Sequence, residues 1–159
     1  MYDVIVVGGG PVGSHAAAKL AGMGYKVAVL ERRQQTGGKP CTGIISSECM
    51  RAFAIDESVV LRRVNSARLV APSGRSIQLR RDKTQACVVD RAAFEYLLIQ
   101  RATDSGSDYF PDTLVTRVDV SDRGTCIQAS TGGETVVFEG KTVVIASGFS
   151  AKIPGVGDR

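Results

Sequence analysis

Apolar residues fall into three patterns along this chain. Short apolar runs stand at 2–7 (YDVIVV), rich in β-branched residues, at 26–30 (KVAVL) and at 142–146 (TVVIA). Such runs predict strands buried on both faces, as in a parallel sheet. Helical spacing joins Val12, Ala16, Leu20 and Met23 across 11–23, and Gly24 supplies the stop. Asp90 reads as the N-cap of a later helix that carries Phe94, Leu97, Leu98 and Ala102 on one face. A short helix is predicted over 47–55. Alternation of apolar and polar residues marks the third pattern. Residues 66–81 alternate on both sides of Pro72-Ser73-Gly74, a hairpin signal. Residues 113–120, 124–130 and 134–139 alternate like an antiparallel meander, with turns at Asp122-Arg123-Gly124 and Thr131-Gly132-Gly133.

Strand, helix and strand in the first 30 or so residues make a βαβ unit, whose crossover is expected to be right-handed. The fold class that follows is α/β. A Rossmann-like domain begins with βαβ, carries a parallel sheet, and adds an antiparallel β-meander. One dinucleotide-binding domain is expected over 1–159, with a hairpin insertion at about 58–85. Residues 31–46 (ERRQQTGGKPCTGIIS) are polar and glycine-rich, too long for a simple connection, and so predict a functional loop.

Composition narrows the classes. At 43% hydrophobic and 23% charged the chain is expected to be globular and soluble. No apolar run approaches the ~20 residues that span a bilayer. The start lacks a basic leader and Asp3 interrupts its apolar run, which is not the pattern of a signal peptide. Cys41, Cys49, Cys87 and Cys126 are widely spaced without a CxxC pair, so a reducing cytoplasm is the expected setting. Cys49, Cys87 and Cys126 read as packing residues. His15 has no second histidine near it in sequence, and no metal site is expected. The net charge of +4 is modest and its basic residues are scattered with few aromatics between them. No nucleic-acid stripe stands out, and anionic ligands such as phosphates fit equally well.

The chemistry concentrates at the first turn. Gly8, Gly10 and Gly13 form G-x-G-x-x-G between a strand and a helix, and Glu31 ends the next strand 18 residues after Gly13. In that context the motif is a dinucleotide-binding fingerprint. Gly8 allows the tight turn, Gly10 leaves the backbone bare for a pyrophosphate, and Gly13 lets helix and strand pack closely. The N–H groups of a helix start, together with its dipole, favour phosphate charge. Pro11 suits the first turn, where its missing N–H is not needed, and Val12 follows it in that turn. Glu31 can accept hydrogen bonds from ribose hydroxyls and would repel a 2′-phosphate.

GGGPVGSHAAAKLAGMGYKVAVLER resembles the amino-terminal FAD-binding segment of the flavoprotein monooxygenase and geranylgeranyl reductase superfamily. GGKPCTGIIS resembles the cysteine-containing loop of the geranylgeranyl reductases. VVDRAAFEYLL resembles the segment in which an arginine opens a helix beside the flavin. TVVIASGFSAKIPG resembles the family's later glycine motif. The resemblance implies FAD as cofactor, its pyrophosphate on Gly8, Gly10 and Gly13, and its ribose on Glu31 with Arg32 beside it. It implies Arg91 at the pyrophosphate or ribityl chain, backbone bonds from Val115 to adenine, and a close pass of the cofactor at Ser147 and Gly148. Cys41, with Thr42 and Gly43, would lie near the isoalloxazine ring. Cys41 would then be the acid that protonates substrate or a group that shapes the site. Ser147 stands where many relatives carry aspartate, which leaves NAD(P)H open as electron donor.

The same resemblance implies further polypeptide after Arg159, with a Gly-Asp motif at the ribityl chain and then a substrate domain. On that expectation this is an amino-terminal portion, inactive alone, that holds FAD weakly or not at all. The substrate implied is an isoprenoid lipid double bond reduced by hydride, and peripheral membrane association stays open. Three alternatives stand beside it: an aromatic-ring monooxygenase, an NAD-dependent reductase, and a non-catalytic dinucleotide-binding module. The long 31–46 loop and the hairpins speak against a plain nicotinamide domain.

Overall fold

A computed structural model describes residues 1–38, 41–148 and 153–156. They divide into two compact units, Met1–Thr36 with Glu95–Arg159, and Gly37–Phe94.

The first unit is built on a six-stranded sheet. Its elements are β1 (Tyr2–Val7), α1 (Pro11–Gly22), β2 (Val27–Leu30), β8 (Asp108–Phe110), β9 (Thr113–Ser121), β10 (Gly124–Thr131) and β11 (Glu134–Ile145). The order is β8-β2-β1-β11-β10-β9. β8, β2, β1 and β11 run parallel, and β10 pairs antiparallel with β11 and β9. β1 from Val4 on and all of β2 are buried on both faces, as expected, but the run at 142–146 is not: Val143 and Val144 are half-buried and Ile145 is 40% exposed. Val4, Val6, Val27 and Val29 pack with Ala17, Ala21 and Ala102 on one face. Ile5, Val7, Ala28 and Leu30 pack with Val115, Val118, Ile127 and Ala129 on the other. Phe110 sits edge-on to Tyr2 and to Phe138, at centroid distances of 6.5 and 5.0 Å, and closes that second core.

One expectation is refined here and one corrected. The helix expected over 11–23 forms as α1, but Val12 and Met23 of its apolar spacing are 76% and 71% exposed. Gly13, Ser14, Ala17 and Ala21 face inward instead. Small side chains let the helix lie close against the sheet valines, so this helix packs by its small residues. The strands expected at 134–139 and 142–146 are one 12-residue strand, β11. Its first half pairs antiparallel with β10 and its second half parallel with β1, the change coming at Gly140. A Cβ at Gly140 would lie 2.9 Å from Ile5 Cδ1, so the bare backbone admits the core side chain beneath it.

The second unit holds β3 (Ile44–Ser46), α2 (Ser47–Ala52), β4 (Val60–Val64), β5 (Ser66–Val70), β6 (Ser76–Arg80) and β7 (Ala86–Val89). β3, β7 and β4 form one antiparallel sheet and β5-β6 another. The β5-β6 hairpin turns at the expected place, with the Gly74 N–H donating to Ala71 O at 2.9 Å. Ser46 caps α2 by accepting the Cys49 N–H at 3.0 Å. Asp90 accepts the N–H groups of Ala92 and Ala93 at 2.9 and 3.1 Å, the N-cap predicted for α3 (Arg91–Asp104). From Glu95 on, α3 belongs to the first unit. Among the described residues no helix is long and apolar enough to cross a membrane, and no group of His, Cys, Asp or Glu is placed to hold a metal ion.

Candidate dinucleotide-binding site

The site starts from β1. Val7 is the last strand residue, and Gly8 turns the chain with φ +107°, a conformation that side chains disfavour. A Cβ at Gly8 would also lie 2.5 Å from Ala146 O and 2.8 Å from Ser147 Cα, where the chain leaves β11. Gly13 packs α1 onto the same turn: a Cβ there would lie 1.9 Å from Gly8 O. Gly10 differs, since a Cβ there would meet nothing within 4 Å. It is the N-cap of α1, no side chain caps that end, and Pro11 opens the helix. The backbone thus presents an uncapped helix start over open space, with positive dipole density and N–H groups at the place where an anion can sit.

Glu31 is brought to that turn and held on all sides. Its N–H donates to Phe110 O and its carbonyl accepts the Thr113 N–H, both at 2.9 Å. Its carboxylate accepts the Gly9 N–H on Oε2 at 2.7 Å and the Arg33 N–H on Oε1 at 3.1 Å. Two N–H donors leave a carboxylate with acceptor capacity to spare. Arg32 beside it is exposed.

Gly8, Gly10, Pro11, Val12, Gly13, Glu31 and Ser147 therefore surround one turn. Gly148, next along, is exposed. Val115 is a buried core residue of β9, paired with Ala129 of β10, so its side chain is closed to a ligand. Cys41, Thr42, Gly43 and Arg91 lie in the second unit. Cys41 and Thr42 are exposed, and Cys41 Sγ accepts the Gly43 N–H at 3.5 Å. Gly43 is buried with φ +67°, and a Cβ there would lie 2.7 Å from Val89 O, so a packing demand accounts for this glycine. The guanidinium of Arg91 lies 5.5 Å from the ring centroid of Phe94. Cys87 is buried, in keeping with a packing role, while Cys49 and Cys126 are half-buried.

Sequence reasoning passed over three residues. The hydroxyl of Ser14, fully buried, donates to Gly9 O at 2.9 Å. Tyr109 covers Gly9: a Cβ on that glycine would lie 2.2 Å from the Tyr109 hydroxyl. Burial above all, with the Glu31 and Glu95 carboxylates adding, pushes the Tyr109 hydroxyl well above the ordinary tyrosine value and keeps it neutral. The third is Gly9 itself, where the only signal was a glycine more than the fingerprint needs.

The bare Gly10, the uncapped helix and the oriented carboxylate fit the pyrophosphate and ribose of an adenine dinucleotide. Comparison with known proteins agrees. The geranylgeranyl diphosphate reductase of Rhodobacter capsulatus is 32% identical over 154 residues, covering 96% of this chain and 39% of the relative. Digeranylgeranylglycerophospholipid reductase 1 of Methanococcoides burtonii is 28% identical over 158 residues, again with 96% and 39% covered. A geranylgeranyl bacteriochlorophyll reductase-like protein of Thermoplasma acidophilum, of known crystal structure, superposes with a TM-score of 0.83 at 30% identity, over 93% of this chain and 39% of that one. The chain thus spans about two fifths of the length of the curated relatives it matches, 39% in these cases. The model of the FAD dependent oxidoreductase family matches residues 3–151, and the chain belongs to that family.

Proposed function

We propose that this chain is the part of a flavoprotein reductase that grips the adenosine diphosphate half of FAD, and that the whole protein reduces an isoprenoid carbon–carbon double bond. The observation that carries the cofactor half is the open space at Gly10 over an uncapped helix start, with the Glu31 carboxylate held 2.7 Å from the next amide. The isoprenoid half rests on the relatives' names and on the GKPCTG segment around Cys41.

Bound FAD supplies the hydride chemistry; the protein supplies binding, orientation and electrostatics. Here the N–H groups at the start of α1 would bind the pyrophosphate and its charge would settle on the helix dipole. Glu31 would accept from the ribose hydroxyls and repel a 2′-phosphate. Arg32 would lie along the adenosine, and the backbone at Val115 would meet adenine. Cys41, exposed and in contact with the Gly43 N–H, would hold a proton for the reduced carbon.

Titration calorimetry with ADP and with 2′-phospho-ADP tests the cofactor half. ADP is expected to bind and 2′-phospho-ADP to bind at least tenfold more weakly, about one hydrogen bond to a charged group plus repulsion. Equal binding of the two, or none of either, overturns it. For the isoprenoid half, the longer protein reduced with dithionite should saturate a geranylgeranyl double bond, and Cys41→Ala should slow that step. An unchanged rate removes Cys41 from the chemistry.

A further inference from the structure

We propose that Ser14 and Tyr109 are positioning residues for ribose recognition, acting on Glu31 through Gly9. The proposal rests on the dinucleotide-binding function above and deepens it.

Three contacts converge on Gly9. Its N–H donates to Glu31 Oε2 at 2.7 Å. Its carbonyl accepts the Ser14 hydroxyl at 2.9 Å. Its Cα lies under Tyr109, so that a Cβ would stand 2.2 Å from the hydroxyl oxygen and 2.8 Å from Cε2 and Cζ. Ser14 is itself pinned, with 0% exposure and its N–H on Gly10 O at 2.9 Å. Tyr109 is pinned by β8, where it pairs with Val29, and by packing with the α1-side core.

A glutamate carboxylate turns easily about its last bond, whose torsional preference is broad. For two ribose hydroxyls to be met, its free lone pairs must point one way before the ligand arrives. The Gly9 N–H on Oε2 sets that direction together with the Arg33 N–H on Oε1. The Gly9 N–H in turn keeps its aim only if the φ and ψ of Gly9 are held, which Ser14 does by fixing the carbonyl of the next peptide from the helix and Tyr109 by covering the Cα from the sheet. The neutral phenol does so without placing a second negative charge beside Glu31.

The test uses the whole 159-residue chain with ADP and 2′-deoxy-ADP as probes. The wild type is expected to prefer ADP by about tenfold, one hydrogen bond to a charged group. Ser14→Ala and Tyr109→Leu should each cut that preference at least threefold, whereas Tyr109→Phe, which keeps the ring over Gly9, should retain it. In a Glu31→Gln background, Ser14→Ala should change the preference no further. If Ser14→Ala weakens both probes equally, its role is merely structural and the proposal fails. It fails equally if the loss persists undiminished beside Glu31→Gln. Should Ser14→Ala not fold, Tyr109→Leu set against Tyr109→Phe decides the matter: equal preference for ADP in those two chains overturns the proposal. A wild type that binds neither probe overturns the dinucleotide-binding function itself, and this proposal with it; a wild type that binds both equally overturns the ribose role of Glu31.

Discussion

The carbonyl oxygen of Gly8 lies 1.9 Å from the place a Cβ on Gly13 would occupy. Backbone, not a flexible side chain, stands in the way, so neither partner can step aside. Gly13→Ala is expected to cost about 3 kcal/mol or more, the upper end of overpacking. Gly10→Ala meets nothing within 4 Å and asks for an ordinary φ of −68°. It should keep stability within about 0.5 kcal/mol, as surface changes do. It should nonetheless lose at least tenfold in ADP affinity, because its methyl fills the space kept for phosphate. Urea denaturation beside calorimetry separates the two, and a stable Gly13→Ala or a fully binding Gly10→Ala contradicts the cradle.

How far the chain discloses this site depends on what each residue had to offer a one-dimensional reading. β1 and β2 were legible because a strand buried on both faces needs only a short run of apolar residues, which is what Val4–Val7 and Val27–Leu30 are. The glycine turn was legible because its spacing is fixed by the turn. β8 is three residues long and is a strand only because β2 pairs with it, so nothing local announces it. Ser14 looks like any small helical residue, and Tyr109 meets Gly9 only after the sheet has brought positions 100 apart together. Apolar spacing misled at Val12 and Met23, since the inward face of α1 was chosen for smallness.

Gly140 and Ile5 offer a second packing test. A Cβ at Gly140 would stand 2.9 Å from Cδ1 and 3.0 Å from Cγ1 of Ile5, a fully buried side chain. The obstacle here is the far end of a side chain, which can be shortened. Gly140→Ala should cost about 1–2 kcal/mol through overpacking. Adding Ile5→Val, which removes the Cδ1 methyl, should recover part of that loss, so the pair is non-additive. Thermal or urea midpoints of the four chains check it; simple additivity would mean the strand bends away at Gly140.

The β5-β6 hairpin is amphipathic by register. Ala67 faces Leu79 and Leu69 faces Ile77, which puts four apolar side chains on one face, with Leu69, Ile77 and Leu79 57%, 64% and 53% exposed. The opposite face carries Arg68, Arg80, Ser66, Ser76 and Gln78, with Val70 at its turn end. Exposed apolar clusters bind hydrophobic dyes and promote association. Leu69→Thr with Ile77→Thr keeps β-branched or strand-forming character and is expected to lower anilinonaphthalene-sulfonate fluorescence and concentration-dependent light scattering. Stability should fall by no more than about 1 kcal/mol, the worth of one cross-strand pair. Unchanged dye binding would place the apolar surface elsewhere.

Tyr2 ties the ends of the first unit's sheet to pH. Its hydroxyl donates to Asp108 Oδ2 at 3.0 Å. Partial burial first, then the bond to Asp108 and that carboxylate's charge, push its pKa from 10.0 up to about 12. The unfolded chain gives up this proton at the lower value. Between the two values the folded state therefore holds more protons, and stability falls as pH rises through that window. Below it the contribution is complete and constant. Tyr2→Phe keeps the ring against Phe110 and removes the titration. The stability gap between wild type and Tyr2→Phe should accordingly be widest near about pH 9 and narrow steadily above about pH 10. The Asp3–Lys141 pair, with Nζ 2.6 Å from Oδ1, titrates in both chains and cancels from the difference. Urea midpoints measured across the window give the gap directly, and a gap that stays constant there would mean that neither burial nor the Asp108 bond raises the phenol.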